Sequence, residues 1–375
     1  MKISSNFDGG NIKCLSCDDL GDIQLEIKKD NQSDFYQWFY FRLTGGRDQD
    51  CILNIVNAGG AAYGEGYVDY QAVASYDRET WFRVDTEFND GVLSIRHQPL
   101  YNSVYYAYFA PYSTERHLDL MAQLISSPLV DLINLGSTLD GQDMDLLKIG
   151  EDGEGKRNCW FIARQHPGET MAEWWMEGFL GKLLDEDDPV SRELLKKCVF
   201  YVVPNMNPDG SRRGHLRTNA VGANLNREWV DASMERSPEV YLVRQIMEKV
   251  GVGFCLDVHG DEALPYNFIS GSEGIPSWTP QRQTLLDGYM SSLVAVSPDF
   301  QTTHGYDIDE PGKANLTMAT NYIAETFGCL AMTLEMPFKD TVETPNSTEG
   351  WSPDRCIHLG AANLNALYLI IDKLG

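Results

Sequence analysis

A histidine and a glutamate three residues apart, in His166-Pro167-Gly168-Glu169, stand between the short apolar run Cys159 to Ala163 and a helical spacing of Met171, Trp175, Phe179 and Leu183. An imidazole and a carboxylate at such a strand-to-helix junction can grip one side of a divalent cation. A second imidazole, His259, follows another apolar run, Phe254 to Val258. Two His and one Glu leave the fourth position of a tetrahedral zinc ion open to water, as hydrolytic zinc sites do. A structural site would close all four positions, usually with thiolates, and no cysteine adjoins these residues. The expectation is one Zn2+ per chain on His166, Glu169 and His259, at about 2.0–2.2 Å from its donors, activating a water. Asp257, two positions before His259, is placed either to orient that imidazole or to make a plain structural hydrogen bond.

Taken in order, His166-x-x-Glu169, Asn207-Pro208-Asp209-Gly210, Asn226-Arg227, His259 and Thr333-Leu334-Glu335 resemble the motifs of the zinc metallocarboxypeptidases, exopeptidases that remove one C-terminal residue. Upstream, Trp38-Phe39-Tyr40-Phe41-Arg42 and Phe109-Ala110-Pro111-Tyr112 resemble the β-domain of the cytosolic carboxypeptidase branch. The likeness spans most of the chain and is that of a bacterial-type member of the branch.

The resemblance implies roles. Glu335, ending an apolar run, is the general base that takes a proton from the attacking water and passes it to the leaving amine. Asn226 and Arg227 hold the substrate's terminal carboxylate, which a guanidinium matches in a planar, two-pronged way. Arg217, in His215-Leu216-Arg217-Thr218-Asn219, stabilises the oxyanion, a contribution of about 3–4 kcal/mol to the barrier. Arg212 and Arg213 lie close by in sequence. The family's assisting tyrosine has no clear counterpart: at its expected separation stands Gly312-Lys313-Ala314-Asn315, with Tyr306 and Tyr322 on either side. The implied substrates are peptide or protein C-termini. Eukaryotic relatives of this branch trim C-terminal glutamates, which here would need a cationic pocket, with Lys313 as its candidate. Two alternatives use the same ligands: a zinc-dependent N-acyl amino-acid deacylase of the aspartoacylase type, and a non-catalytic peptide-binding relative. A binding module has no need of a base opposite the metal.

Bulk properties narrow the setting. A formal charge of −25 opposes binding to nucleic acid or to anionic membrane surfaces. Eight cysteines are scattered, several within apolar runs, as reduced thiols of a cytosolic enzyme are. The N-terminus lacks an apolar core of signal-peptide length, and no run approaches the ~18–20 apolar residues of a membrane span. A cytoplasmic location is expected; oligomeric state is not readable.

The elements that must position these side chains fall into two blocks. Residues 1–113 read as an all-β sandwich: Phe35 to Leu43 is strand-like, Val104, Tyr106 and Tyr108 alternate, and Trp81 to Phe88 with Val92 to Ile95 reads as a hairpin around Asn89-Asp90-Gly91. Residues 114–375 interleave strands (159–163, 198–203, 254–258, 330–336) with helices (from Met171, from Pro238, 285–296, 356–373). This is an α/β, mixed-sheet, carboxypeptidase-like catalytic domain. Ligand sites of such sheets gather at the carboxyl ends of strands, where His166, Asn207, His259 and Glu335 fall.

Overall fold

The computed structural model describes residues 1–374. Two five-stranded sheets build the first block. One runs in the order Lys2–Ser4, Tyr40–Thr44, Ser103–Ala107, Val73–Ser75, Phe82–Arg83; the other runs Lys13–Ser16, Ile23–Glu26, Cys51–Ile55, Val92–His97, Asp85–Asn89. Pairing is antiparallel except between Ile23–Glu26 and Cys51–Ile55. Alternation puts Leu25, Leu53 and Ile95 from one sheet and Leu43, Val104 and Tyr106 from the other into one buried core.

The hairpin after Asp85 closes at Asp90-Gly91, both with positive φ (49° and 81°), as a two-residue hairpin turn demands. Its first strand is shorter than the periodicity predicts. Phe82–Arg83 belongs to one sheet and Asp85–Asn89 to the other, the chain crossing at buried Val84. Arg83 pulls it across: its guanidinium donates to the carbonyls of Gln71, Phe338, Glu349 and Trp351, at 2.6, 2.9, 3.1 and 3.1 Å. Three of those four acceptors lie in the second block. The aromatic run also yields less strand than expected: Tyr40–Thr44 pairs, whereas 35–39 is irregular, its Phe35, Tyr36 and Phe39 carbonyls accepting from the N–H groups of Asp30, Ala62 and Tyr108.

The second block is a seven-stranded mixed sheet, ordered Val130–Ser137, Asp143–Ile149, Cys198–Val203, Arg157–Ala163, Phe254–Asp261, Leu330–Pro337, Phe268–Ser270. The four strands from Cys198–Val203 to Leu330–Pro337 are mutually parallel; the outer pairings are antiparallel. Parallel strands buried on both faces need continuous apolar sequence, and Cys198–Val203 is buried at every position. Helices Met171–Leu183, Pro280–Val296 and Pro353–Ile370 cover one face. Pro238–Val250 and Ala319–Phe327 cover the other. The sheet points the carboxyl ends of its parallel strands at one edge, and the first block packs beside that edge. Tyr108 stacks on Phe338 at 4.5 Å, and Thr170 and Trp174 both donate to the carbonyl of Ala110.

Candidate active site

Each ligand candidate sits where a strand stops. After Arg157–Ala163 the chain turns sharply at Arg164, a buried arginine with φ of +58°. Its guanidinium is tied to the carboxylate of Glu173 and to the carbonyls of Tyr112 and Pro167. That fixes the turn carrying His166 and Glu169. Gly168 belongs there because a Cβ would stand 2.9 Å from the carbonyl oxygen of Leu216. On Phe254–Asp261, Asp257 and His259 share a face by the two-residue period of a strand.

His166, Glu169 and His259 converge, all buried, each offering a ligand atom within 4.8 Å of the others. Nδ1 of His166 lies 2.7 Å from Glu169 Oε1, and Nδ1 of His259 lies 2.8 Å from Glu169 Oε2. The outward nitrogens are spoken for. Nε2 of His166 faces Asn224 Oδ1 at 3.1 Å, and Nε2 of His259 faces Asp257 Oδ2 at 2.9 Å. Oxygen acceptors at both Nε2 atoms suit the tautomer in which each Nδ1 would turn its lone pair to a cation at the shared point. Gln165 completes the support, donating to Asp257 Oδ2 at 2.6 Å and accepting from Trp229 Nε1 at 2.9 Å. Burial and the charge of Arg217 push His166 down to about 4, so it is neutral, as a metal-ligating imidazole must be. Burial alone would raise the Glu169 carboxyl, but the two imidazoles hold it well below the usual range. Two nitrogens and one carboxylate oxygen so arranged fit a zinc ion with an open position.

Glu335 is the register partner of His259 on the adjacent parallel strand. It is buried, and its Oε2 has no hydrogen-bond partner. Burial drives its pKa well above the usual carboxylate value, opposed by His259 and reinforced by Glu169, Asp261 and Glu262. It opens, with His166 and Glu169, on a cleft of about 420 Å³ also lined by Tyr63, Arg217, Arg227, Glu262 and Tyr306.

Among the described residues, neither Arg217 nor Arg227 has a carboxylate in ion-pair range. The Arg217 guanidinium lies over the rings of Phe35 and Tyr63, at 5.6 and 5.4 Å. Arg227 donates to the carbonyl of Asn226 at 2.6 Å, and partial burial and the neighbouring Arg217 lower its pKa. Asn226 accepts from the backbone N–H of Ala319 at 2.8 Å. Two unpaired cations in one cleft make an anion site. The other arginines of this stretch face away: Arg213 pairs with Asp140 at 2.6 Å, and Arg212 is exposed beside Gln142.

The structure separates the two tyrosines that sequence left level. Tyr306 lines the cleft and donates to Asp261 Oδ2 at 2.6 Å. Tyr322 packs behind it against Trp229 and under Arg244. Lys313 is exposed and lines no part of the cleft. Asn207-Pro208-Asp209-Gly210 is a support: Asn207 caps its own turn at Gly210 and donates to the carbonyl of Gln165, at 3.0 Å each. Tyr63, Asp261, Glu262, Gln165 and Asn224 escaped sequence reasoning as cleft or support residues. Asp261 and Glu262 lie two and three positions after the ligand candidate His259 and were findable from that; Tyr63 comes from a loop of the first block with no local signal.

Residues 3–109 match the family model described as cytosolic carboxypeptidase N-terminal domain, and residues 114–347 match that of zinc carboxypeptidase. An uncharacterised protein of Zymomonas mobilis is 53% identical over all of this chain and 97% of its own length. Cytosolic carboxypeptidase 6 of Caenorhabditis elegans is 25% identical over 93% of this chain and 81% of its own. A metallo-carboxypeptidase from Burkholderia cenocepacia superposes with a TM-score of 0.97 at 47% identity, covering 99% of both chains. A metallo-carboxypeptidase from Pseudomonas aeruginosa, solved in complex with (2-guanidinoethylmercapto)succinic acid, gives 0.98 at 42% identity over the full length of both.

Proposed function

The chain belongs to the zinc carboxypeptidase family and is a metallocarboxypeptidase; from that premise we propose that it cleaves the C-terminal peptide bond of peptides or proteins with one zinc ion held by His166, Glu169 and His259. One observation carries the reading. Three candidate ligand atoms lie within 4.8 Å of one another, and two of their residues, His166 and Glu169, share a cleft with a carboxyl oxygen lacking a partner and two guanidiniums lacking acids. When bound, zinc supplies a Lewis acid that lowers the pKa of water and polarises a carbonyl.

The protein's own groups supply the rest. Arg227, with Asn226 bracing it, takes the free carboxylate of the last residue, which makes the enzyme an exopeptidase. Arg217 donates to the oxygen of the scissile carbonyl as it gains charge. Glu335 accepts a proton from the attacking water and returns it to the departing nitrogen; its raised pKa suits an acid that must give the proton back. Tyr306 offers a phenol on the same cleft wall, held by Asp261.

The last residue's side chain finds no dedicated cation, since both cleft arginines are engaged by the substrate backbone and Lys313 is elsewhere. Asp261, Glu262 and Glu335 line the cleft with carboxyl groups instead of a further arginine or lysine, burial driving Glu262 and Glu335 towards the neutral form. We therefore propose neutral or basic last residues over acidic ones. The Pseudomonas relative's ligand, which joins a guanidine to two carboxylates, suits a cleft holding both arginines and acids. Cytosolic carboxypeptidase relatives and eight free thiols support a cytoplasmic enzyme.

The test is a peptide library with varied last residues, read by mass spectrometry with and without chelator. Shortening by one C-terminal residue, abolished by chelator and restored by zinc, is expected. Release of amino acids from N-acyl amino acids but never from peptides would overturn the reading in favour of a deacylase.

A further inference from the structure

Arg217 lies between helix Pro208–Arg213 and the short turn Leu225–Arg227, in a stretch without regular secondary structure. Within its own segment the contact of His215 Nδ1 with the Thr218 carbonyl, at 2.9 Å, spans it. The rest of its support comes from across the domain boundary, and most of that from one side chain.

Asp30, 3% exposed, belongs to the first block. Its carboxylate receives three consecutive backbone N–H groups of the second: Leu216 on Oδ1 at 2.7 Å, then Arg217 and Thr218 on Oδ2 at 2.8 and 2.9 Å. The Thr218 hydroxyl adds a fourth bond to Oδ2 at 3.1 Å. Charge-assisted bonds of this kind are about twice as strong as neutral ones. Three in a row fix the peptide planes on both sides of the Arg217 Cα, and so the direction in which its side chain leaves the backbone.

Neighbouring contacts extend the grip. The N–H of Asn31 donates to His215 Nε2, and its side chain donates to the carbonyl of Ala220. At the far end of the side chain, Phe35 and Tyr63, also from the first block, flank the guanidinium. On its other side the same segment touches the ligand turn, the N–H of Gly168 donating to the Leu216 carbonyl at 2.9 Å. The segment is clamped between the first domain and the metal-site candidate.

We propose that Asp30 is a positioning residue for Arg217, and that the first domain thereby builds the oxyanion corner of the cleft. This rests on the role given to Arg217 above. Asp30 touches no substrate; it acts by holding the arginine where charge develops. Such positioning matters because displacement by about 1 Å can cost ~100-fold in rate.

The experiment is a double-mutant cycle on the zinc-loaded full chain, with Asp30→Asn, Arg217→Ala and the pair. An amide cannot replace this carboxylate: whichever way it turns, its NH2 confronts at least one of the backbone N–H groups. Asp30→Asn is expected to lower kcat by ~10–100-fold with KM within about threefold, at unchanged zinc content. It should weaken a phosphinic peptide, which mimics the tetrahedral state, by a like factor, and leave a succinate-type inhibitor unaffected. Arg217→Ala should lower kcat by ~100–1,000-fold, and adding Asp30→Asn to it should change nothing further.

An Asp30→Asn effect undiminished in the Arg217→Ala background, or unaltered phosphinic-peptide affinity, overturns the proposal. An Arg217→Ala enzyme with full kcat overturns instead the role assigned to that arginine. Should Asp30→Asn not fold, Phe35→Leu takes its place in the cycle, removing the ring from the guanidinium while the carboxylate stays. A loss of kcat that vanishes in the Arg217→Ala background then supports positioning by the first domain, and an additive loss refutes it.

Discussion

His259 and Glu335 are register partners on adjacent parallel strands, so one strand end brings a metal-ligand candidate and the next brings the proposed base to the same level of the sheet. Their spacing is set by backbone hydrogen bonds and does not depend on loop conformation. Glu335→Gln keeps shape and burial but removes the proton acceptor. It should lose ~100–10,000-fold in kcat while zinc, counted by atomic emission, stays at one per chain. Unchanged turnover would take the base away from Glu335.

Asp257 lies buried behind His259 and shares its Oδ2 with Gln165. Asp257→Asn weakens the hold on the imidazole Nε2–H and with it the Nδ1 proposed to ligate zinc. Zinc affinity, measured by chelator competition, should fall ~10–100-fold. An affinity equal to wild type would reduce this contact to a structural hydrogen bond.

Arg227 has no acid partner, so its truncation leaves no buried charge behind. Arg227→Ala removes a charge-assisted contact to the substrate carboxylate of about 1.5–3 kcal/mol, raising KM roughly 10–100-fold. Peptides amidated at the C-terminus should be poor substrates of the wild type and lose little more in the variant. Equal wild-type rates on amidated and free-acid peptides would contradict the exopeptidase geometry.

Glu239, which lines no part of the cleft, gives a pH signature of stability. It is buried in the first turn of helix Pro238–Val250, and burial raises its pKa to about 8 despite the nearby Asn219 amide. A carboxyl raised in the folded state binds its proton more tightly there than in the unfolded chain. Its contribution is therefore present below the unfolded value near 4.5 and is lost as pH rises through about 8. Glu239→Gln should flatten thermal stability between those limits and stabilise the protein at pH 8, by up to about 5 kcal/mol. A variant whose Tm keeps the wild-type slope would refute the assignment.

The convergence of the three ligand candidates was legible because strand ends and close spacing mark them: a His-x-x-Glu after one apolar run, a His after the next. Glu335 needed the resemblance, since an acid ending a buried strand has several explanations until its neighbour is known. The strands 198–203 and 330–336 were readable from continuous apolar sequence, which only two-sided burial requires. What stayed hidden depends on contacts between distant segments. The break at Val84 follows from carbonyls contributed by residues 338, 349 and 351, which no local pattern encodes. Asp30 reads as an ordinary loop aspartate until three amides 186 to 188 positions away are found on it. Tyr306 and Tyr322 are equivalent by sequence; the bond from Tyr306 to Asp261 and the packing of Tyr322 on Trp229 tell them apart.

The Arg83 guanidinium spends its donors on carbonyls from both halves of the chain, and burial holds its pKa below the ordinary arginine value. Cutting the polypeptide near residue 113 would strand that cation on one fragment and orphan three acceptors on the other. Neither piece is then a natural unit of exchange: any transplant of the hydrolytic half into a new chain must bring its β-rich companion along.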